Sequence, residues 1–337
     1  MSELYRAAGV DIAAGDSASR LAYRHAQSTF GNRLGKMGVP INVEDGFSGL
    51  IDMGPFCLTF NSDGVGSKAH VAWQMRRFDT LGYDLVAMVA DDACCLGAEP
   101  VAIVNTLDME RVDTEVVEPL MAGLEAAAAV AGCAVVGGEI AELRDGVRGI
   151  SWSASCIGTV RRERALDGTG VSAGDTLLGV RTDNFRANGF TLLRSILQGH
   201  LGDQWYQVEY EHNRSWGEVA LEPCRIFTPL VLALTGGFEG EPRARIHAVA
   251  HITGGGLRHN VSRVIPRGLC PVWDQLPDIP LAMKRVMDMG KVPWVEAERV
   301  WHLGVGMVIV TPEPQRCRDV AHELGFVATP IGRVVEG

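Results

Sequence analysis

Apolar and polar positions along the chain follow two periods, and together they predict a mixed α/β fold. Short apolar runs at residues 56–61, 101–106, 133–136 and 150–160 read as strands in the first half. Between them, helical spacing recurs over 67–78, 83–96 and 114–131. The last of these is an alanine-rich stretch that stops at Gly132, a residue suited to a helix C-terminus. The second half restarts with a strand at 176–180 and a helix from about Gly189. Further helices are expected around Cys224, in LEPCRIFTPLVLAL, and at 255–264 and 314–324, with strands at 246–252, 305–310 and 326–335. The polar stretch RRERALDGTGVSAGD lies between the halves and places a boundary near residues 163–174. The expected domains are 1–165 and 170–337.

Composition narrows the class. A chain of 337 residues, 47% hydrophobic and 21% charged, has material for two packed domains and is unlike a disordered chain. No apolar run approaches the ~18 residues of a membrane span, and the N-terminus lacks a basic then apolar leader. A cytoplasmic protein without membrane contact is expected. The formal net charge of −10 disfavours nucleic acid as a partner, because no overall positive field draws in phosphate backbones. A local site for a small phosphorylated ligand stays open. Eight cysteines form no CxxC pair and sit in apolar surroundings such as AGCAVVGG, which favours reduced, buried thiols.

Five stretches carry candidate chemistry. In SDGVGSK, glycines let the backbone approach a phosphate just before a helix, and Asp63 calls for a cation between itself and that phosphate. The same residues would also make a tight turn with Ser67 as N-cap. In YDLVAMVADDACCLGAEP, Asp84, Met88 and Asp92 are read as one helical face, with Asp91 about 100° away. Acids inside an apolar helix carry a desolvation cost that a bound cation offsets, although one of the pair can instead meet solvent. Asp92, stacked with Asp84, is the choice of ligand. In VVGGEIAE, Gly138 and Glu139 follow a strand, where α/β ligand sites gather. In FRANGFTLLRS, Arg186 and Asn188 are expected to point into a cleft ahead of a helix, with Arg186 suited to phosphate. In AHITGGGLRHN, Thr253, Gly254 and Gly255 link a strand to a helix and offer amides to an anion.

In this order, the elements resemble the phosphoribosylformylglycinamidine cyclo-ligase (AIR synthetase) family. The similarity runs through YRAAGVDIAAGD, SDGVGSK, YDLVAMVADD with GAEP, GGEIAE, ANGFTLLR, LEPCRIFTP, HAVAHITGGGL with NVSRVIP, and LGVGMV, nearly the whole chain. SDGVGSK and GGE are shared with a wider ATP-using superfamily that includes thiamine-monophosphate kinase and selenophosphate synthetase. The resemblance implies an α/β (α+β) two-domain fold, with first-domain strands joining a barrel in a homodimer. It implies ATP and Mg²⁺ at the domain junction, and a reaction that phosphorylates the formyl oxygen of formylglycinamidine ribonucleotide before an internal nitrogen closes the imidazole ring. Carried onto this sequence, Asp63, Asp92 and Glu139 would hold Mg²⁺. Gly64, Gly66, Ser67, Lys68, Gly138, Thr253, Gly254 and Gly255 would join Asp63, Asp92 and Glu139 around the nucleotide, while Lys68, Arg186 and Asn188 would serve the chemistry.

Several positions depart from the family pattern. Arg186-Ala187 stand where His-Ser is usual, Ile140 replaces the threonine after Glu139, and Trp301-His302 occupy an aromatic-Asn position. The glycine-rich N-terminal loop is reduced to RLGKMGV and DGFSGL. Arginine stays protonated and cannot relay a proton, though it can neutralise a phosphate. The Arg186 and Ile140 departures motivate one alternative, a diverged paralogue phosphorylating another small substrate; a second, of a different class, is a non-catalytic nucleotide-binding protein.

Overall fold

The computed structural model describes residues 3–41 and 46–337. Of the glycine-rich loop, Asp45 lies outside the described residues. The first sheet has six strands in the spatial order Val39–Ile41, Gly49–Asp52, Phe56–Gly64, Ile150–Arg161, Glu99–Met109 and Ala134–Glu142. All neighbours are antiparallel except the last pair, whose parallel pairing follows from the crossover helix Thr114–Ala131 between them. Asp113 caps that helix by accepting from Glu115 N–H, and Gly132 closes it in the left-handed conformation. The second sheet is antiparallel throughout, in the order Ala248–His251, Val305–Thr311, Thr176–Arg181, Ala328–Glu336, Leu269–Trp273.

Period-two alternation decides which face of the first sheet is covered. Along Ile150–Arg161, Trp152, Ala154 and Cys156 are buried while Ser151 and Ile157 are exposed. The helices Leu81–Cys94 and Thr114–Ala131 pack on the buried face. The core is not confined to one half: Leu85, Met88 and Trp152 belong to the same apolar cluster as Phe190, Leu193 and Trp301. Phe47, Cys94 and Cys95 in turn pack into the core under the second sheet. The eight cysteines are unpaired, six of them buried.

The helix Leu81–Cys94 joins the halves through polar contacts as well. Asp84 and Asp91 are fully buried on it. Seven residues is close to two turns, so these two share a face and Asp92 is rotated away, which corrects the pairing of Asp84 with Asp92. Asp84 Oδ1 accepts from Lys68 Nζ at 2.8 Å and from Cys224 N–H at 3.0 Å. Asp91 Oδ1 accepts from the N–H groups of Phe227 and Thr228, both at 2.8 Å, and from the Thr228 hydroxyl. These bonds explain why no helix forms around Cys224. A helix there would bind its own amides, whereas residues 222–227 form no regular element, and Cys224 and Phe227 donate to the two acids before the helix Thr228–Thr235 begins with Asp91 at its N-terminus.

Before the strand Val305–Thr311, His302 fills the departure from the family pattern as a buried neutral imidazole. Its Nε2–H donates to Asn184 O at 2.8 Å, and its Nδ1 accepts from Gly304 N–H. Burial, reinforced by the charge of Arg186, pushes its pKa down to about 3.

Two outcomes follow. Lys68→Met leaves the Asp84 carboxylate buried without its cation and is expected to cost about 3–5 kcal/mol in denaturant unfolding. Adding Asp84→Asn should recover part of that loss. For His302, the folded pKa lies below the unfolded one, so its contribution is present near neutrality and is lost as pH falls below about 6.5. The stability difference between the wild type and His302→Gln should shrink by on the order of 2 kcal/mol between pH 7.5 and pH 5, read from paired urea melts.

Candidate functional site

The strand Phe56–Gly64 delivers Asp63 to the same sheet face as Asn61, whose Nδ2 donates to Val89 O on the acid-bearing helix at 2.9 Å. This alternation turns Asp63 toward Asp92, which the helix presents one residue beyond the buried Asp91. Asp63 is exposed at the mouth of the cleft, although protein atoms crowd around its carboxylate. Burial, followed by the charge of Asp92, raises its pKa to about 6, an effect that the solvent contact tempers. Asp92 rises to about 7 through burial, against the opposing pull of Arg263 and Arg186. Asp63 Oδ1 accepts from its neighbour Gly64 N–H at 2.7 Å, and Asp92 Oδ1 accepts from His251 Nδ1 at 2.8 Å. No hydrogen bond from a described residue reaches the second oxygen of either acid. Two adjoining carboxylates with free oxygens suit a hard divalent cation such as Mg²⁺.

Glu139 does not join them within one chain. The strand continues to Glu142, so Glu139 lies inside it rather than beyond its end. In the ladder, Asp63 aligns with Ala154, Asn105 and Gly138, while Glu139 aligns with Thr106, Ser153 and Gly64 on the opposite, open face. Asp63 and Glu139 are also three ladder steps apart, roughly 14 Å along the sheet. Among the described residues, no three His, Cys, Asp or Glu side chains gather around one point. Within one chain, Glu139 thus lies apart from Asp63 and Asp92.

Two expected phosphate contacts also resolve differently. Lys68 is fully buried, and its three donors go to Asp84 Oδ1, Arg186 O and Glu222 O at 2.7–3.0 Å, so none is left for a nucleotide. Arg186 is fully buried as well, and its guanidinium does not open into the cleft. Its Nη1 donates to Arg225 O, its Nη2 contacts His251 Nε2 at 2.8 Å and Asp91 Oδ2 at 3.4 Å, and its plane lies over Phe227. Gly64 is accounted for by the sheet, since a Cβ there would lie 2.7 Å from Trp152 O. Ser67 precedes the helix Lys68–Met75 without capping it, its hydroxyl instead meeting that of Thr191 at 3.1 Å.

The remaining residues line the approach. His251 ends its strand, and the chain runs through Thr253, Gly254 and Gly255 into a cavity of about 670 Å³. Asn188 and Gly189 face Gly254 and Gly255 there, ahead of the helix Phe190–Leu201. Asn188 Nδ2 also lies 3.7 Å from Met88 Sδ on the acid-bearing helix. Arg258, His259, Arg299 and, from the N-terminal helix, Ile12, Gly15 and Asp16 complete the wall. Sequence reasoning missed that helix, Ile12–Ser28, none of whose residues is buried. It also missed His251 and Arg263, although His251 stands in the quoted AHITGGGLRHN.

Comparison with known proteins agrees with this architecture. Residues 48–160 match the N-terminal domain, and residues 172–337 the C-terminal domain, of the AIR synthase related protein family. Phosphoribosylformylglycinamidine cyclo-ligase of Thermococcus kodakarensis is 36% identical over 93% of this chain and 89% of its own length. The protein of that name from Pyrococcus furiosus is 35% identical over 98% of this chain and 97% of its own. Among solved structures, AaThiL complexed with AMPPCP and TMP superposes with a TM-score of 0.61 at 18% identity, covering 88% of this chain and 87% of that one. HypE in its complex with HypF gives 0.63 at 18% identity over 93% of each chain. With both halves matched and its curated relatives aligned along nearly their full length, this chain belongs to the AIR synthase related family, among the phosphoribosylformylglycinamidine cyclo-ligases.

Proposed function

We infer that the protein is an ATP-dependent cyclo-ligase of purine biosynthesis, converting formylglycinamidine ribonucleotide to aminoimidazole ribonucleotide. ATP phosphorylates the formyl oxygen, an internal amidine nitrogen attacks the same carbon, and phosphate departs as the ring closes. The observation that carries the site assignment is the meeting of Asp63 and Asp92, each with a free oxygen, beside the cavity entered by Asn188, Gly254 and Gly255. In this reading Asp63 and Asp92 hold Mg²⁺, which when bound neutralises the polyphosphate. Gly66, Ser67 and the Thr253 and Gly254 amides bound the nucleotide, the Gly255 N–H being spent on Arg299 O, and Asn188 orients the reacting amide by hydrogen bonding. Lys68 acts at one remove, by fixing Asp84 and the backbone at Arg186. Arg186 lends no support to a different acceptor, since its guanidinium serves Asp91 and His251 inside the protein.

The proposed domains, 1–165 and 170–337, are supported by the separation of the two main sheets, whose strands span 39–161 and 176–336. A homodimer is supported by the open face of the first sheet. Phe60, Val104, Val136 and Ile157 are exposed there or on its edge strand, an apolar surface that a second copy of the chain would cover. Glu139 falls on that face. Among the described residues no helix is long and apolar enough to cross a membrane, which fits the cytoplasmic assignment.

Purified protein supplied with ATP, Mg²⁺ and formylglycinamidine ribonucleotide should form aminoimidazole ribonucleotide with one ADP per ring. Asp63→Asn should lower kcat by roughly 10²-fold while circular dichroism stays unchanged. ATP hydrolysis without ring closure would reject cyclisation. In sedimentation equilibrium, the wild type should show twice 36.3 kDa, and Val136→Asp combined with Ile157→Asp should show 36.3 kDa. A wild-type monomer would remove the dimer.

A further inference from the structure

We propose that Arg186 is a positioning residue: it fixes the tautomer of His251, and His251 in turn aims the Asp92 carboxylate at the cleft. The part of this claim that concerns a divalent cation rests on the reading of Asp92 given above, whereas the part that concerns the tautomer does not.

The argument begins with donors and acceptors. A guanidinium has five N–H donors and no acceptor. Arg186 Nη2 lies 2.8 Å from His251 Nε2, so Nε2 must be the acceptor in that bond and carries no proton. The one proton of a neutral imidazole is then on Nδ1, which lies 2.8 Å from Asp92 Oδ1 and donates to it. With both ring nitrogens engaged, the imidazole cannot flip without breaking both bonds. Asp92 is left with one oxygen committed to His251 and the other free.

Arg186 is itself held at both terminal nitrogens and over its plane, while its buried Nε has no hydrogen-bond partner among the described residues. Asp91 Oδ2 and Arg225 O accept from its guanidinium, and Phe227 covers its plane with the ring centroid 4.6 Å away. Its backbone lies in the left-handed region, at φ 54°, which a non-glycine residue adopts at a cost. Asn184 Oδ1 accepts from Arg186 N–H, and Lys68 Nζ donates to Arg186 O, so the strained turn is clamped at both backbone groups. Asp91, Arg186, His251 and Asp92 thus form a continuous chain that leaves the helix Leu81–Cys94 at one acid and returns to it at the next. A histidine at 186 could not do this for a buried Asp91, because it would bring neither the permanent charge nor enough donors to serve Asp91, Arg225 O and His251 together. Arginine at this position is explained by what it must hold inside the protein.

The test reads the imidazole directly. In ¹⁵N-histidine-labelled wild-type protein without ligands, His251 should show a protonated Nδ1 and an unprotonated Nε2. A resonance pattern with Nε2 protonated overturns the proposal whatever the enzyme's activity. The second arm measures Mg²⁺ binding by calorimetry in the presence of a saturating non-hydrolysable ATP analogue. His251→Leu should weaken Mg²⁺ binding by about 10- to 100-fold. His251→Asn, whose amide can still donate to Asp92, should restore most of it. Arg186→Gln should weaken Mg²⁺ binding to a similar extent, with the KM for Mg²⁺ rising more than kcat falls. Because Arg186→Gln leaves Asp91 without a charge partner, the double variant Arg186→Gln, Asp91→Asn serves where the single one does not fold. Wild-type Mg²⁺ affinity in both His251→Leu and the double variant overturns the positioning role. Absence of Mg²⁺ binding by the wild type would instead overturn the assignment of Asp92 as a cation ligand, with the tautomer result deciding the rest.

Discussion

The structure depends on one constraint: two carboxylates, Asp84 and Asp91, sit fully buried on a helix whose other neighbours are apolar. Ionised groups in such a place are tolerated only when cations and backbone donors surround them. Lys68 and Cys224 N–H answer Asp84, while Arg186, Phe227 N–H and the N–H and hydroxyl of Thr228 answer Asp91. All these partners except Lys68 come from the second half of the chain. The halves are therefore locked by directional bonds as well as by a shared apolar core, and the cleft between them has a defined shape.

That lock also explains how a strong charge can lie near the site without entering it. Lys68 and Arg186 are the cations nearest to what a sequence reader would assign to phosphate, yet both are spent on structure. The cleft keeps the acids Asp63 and Asp92, and their mutual repulsion together with burial makes a divalent cation a favourable occupant. Charge is thus divided by depth: buried ion pairs set the frame, while the exposed Asp63 and the partly exposed Asp92 stand at the cleft.

The open face of the first sheet follows the same logic in the apolar direction. Its edge strand Ala134–Glu142 is almost wholly exposed, with Val136 and Ile140 facing water in a single copy. Glu139 lies on the open face rather than with Asp63 because strand residues alternate sides, and Ile140 beside it aligns with Leu107 on the other face.

Much of this was legible in the sequence. Helical and strand periods located most elements, and the bounds Thr114–Ala131 followed from an alanine-rich run and a terminal glycine, signals that act locally. Asp63 and Asp92 stood out in the sequence because acids beside glycines or inside apolar stretches need a physical reason, and the fold brings the two near each other. Tertiary structure alone decided the rest. Which acid of the Asp91-Asp92 pair is buried depends on a rotation of about 100° and on what packs against each side. Whether Lys68 and Arg186 meet a ligand or a carboxylate depends on contacts more than 15 residues away in the chain. The irregular course around Cys224 depends on acids some 140 residues distant, which outbid the local preference for a helix. Periodicity reports on neighbours along the chain; the partners of a buried charge are chosen by the fold.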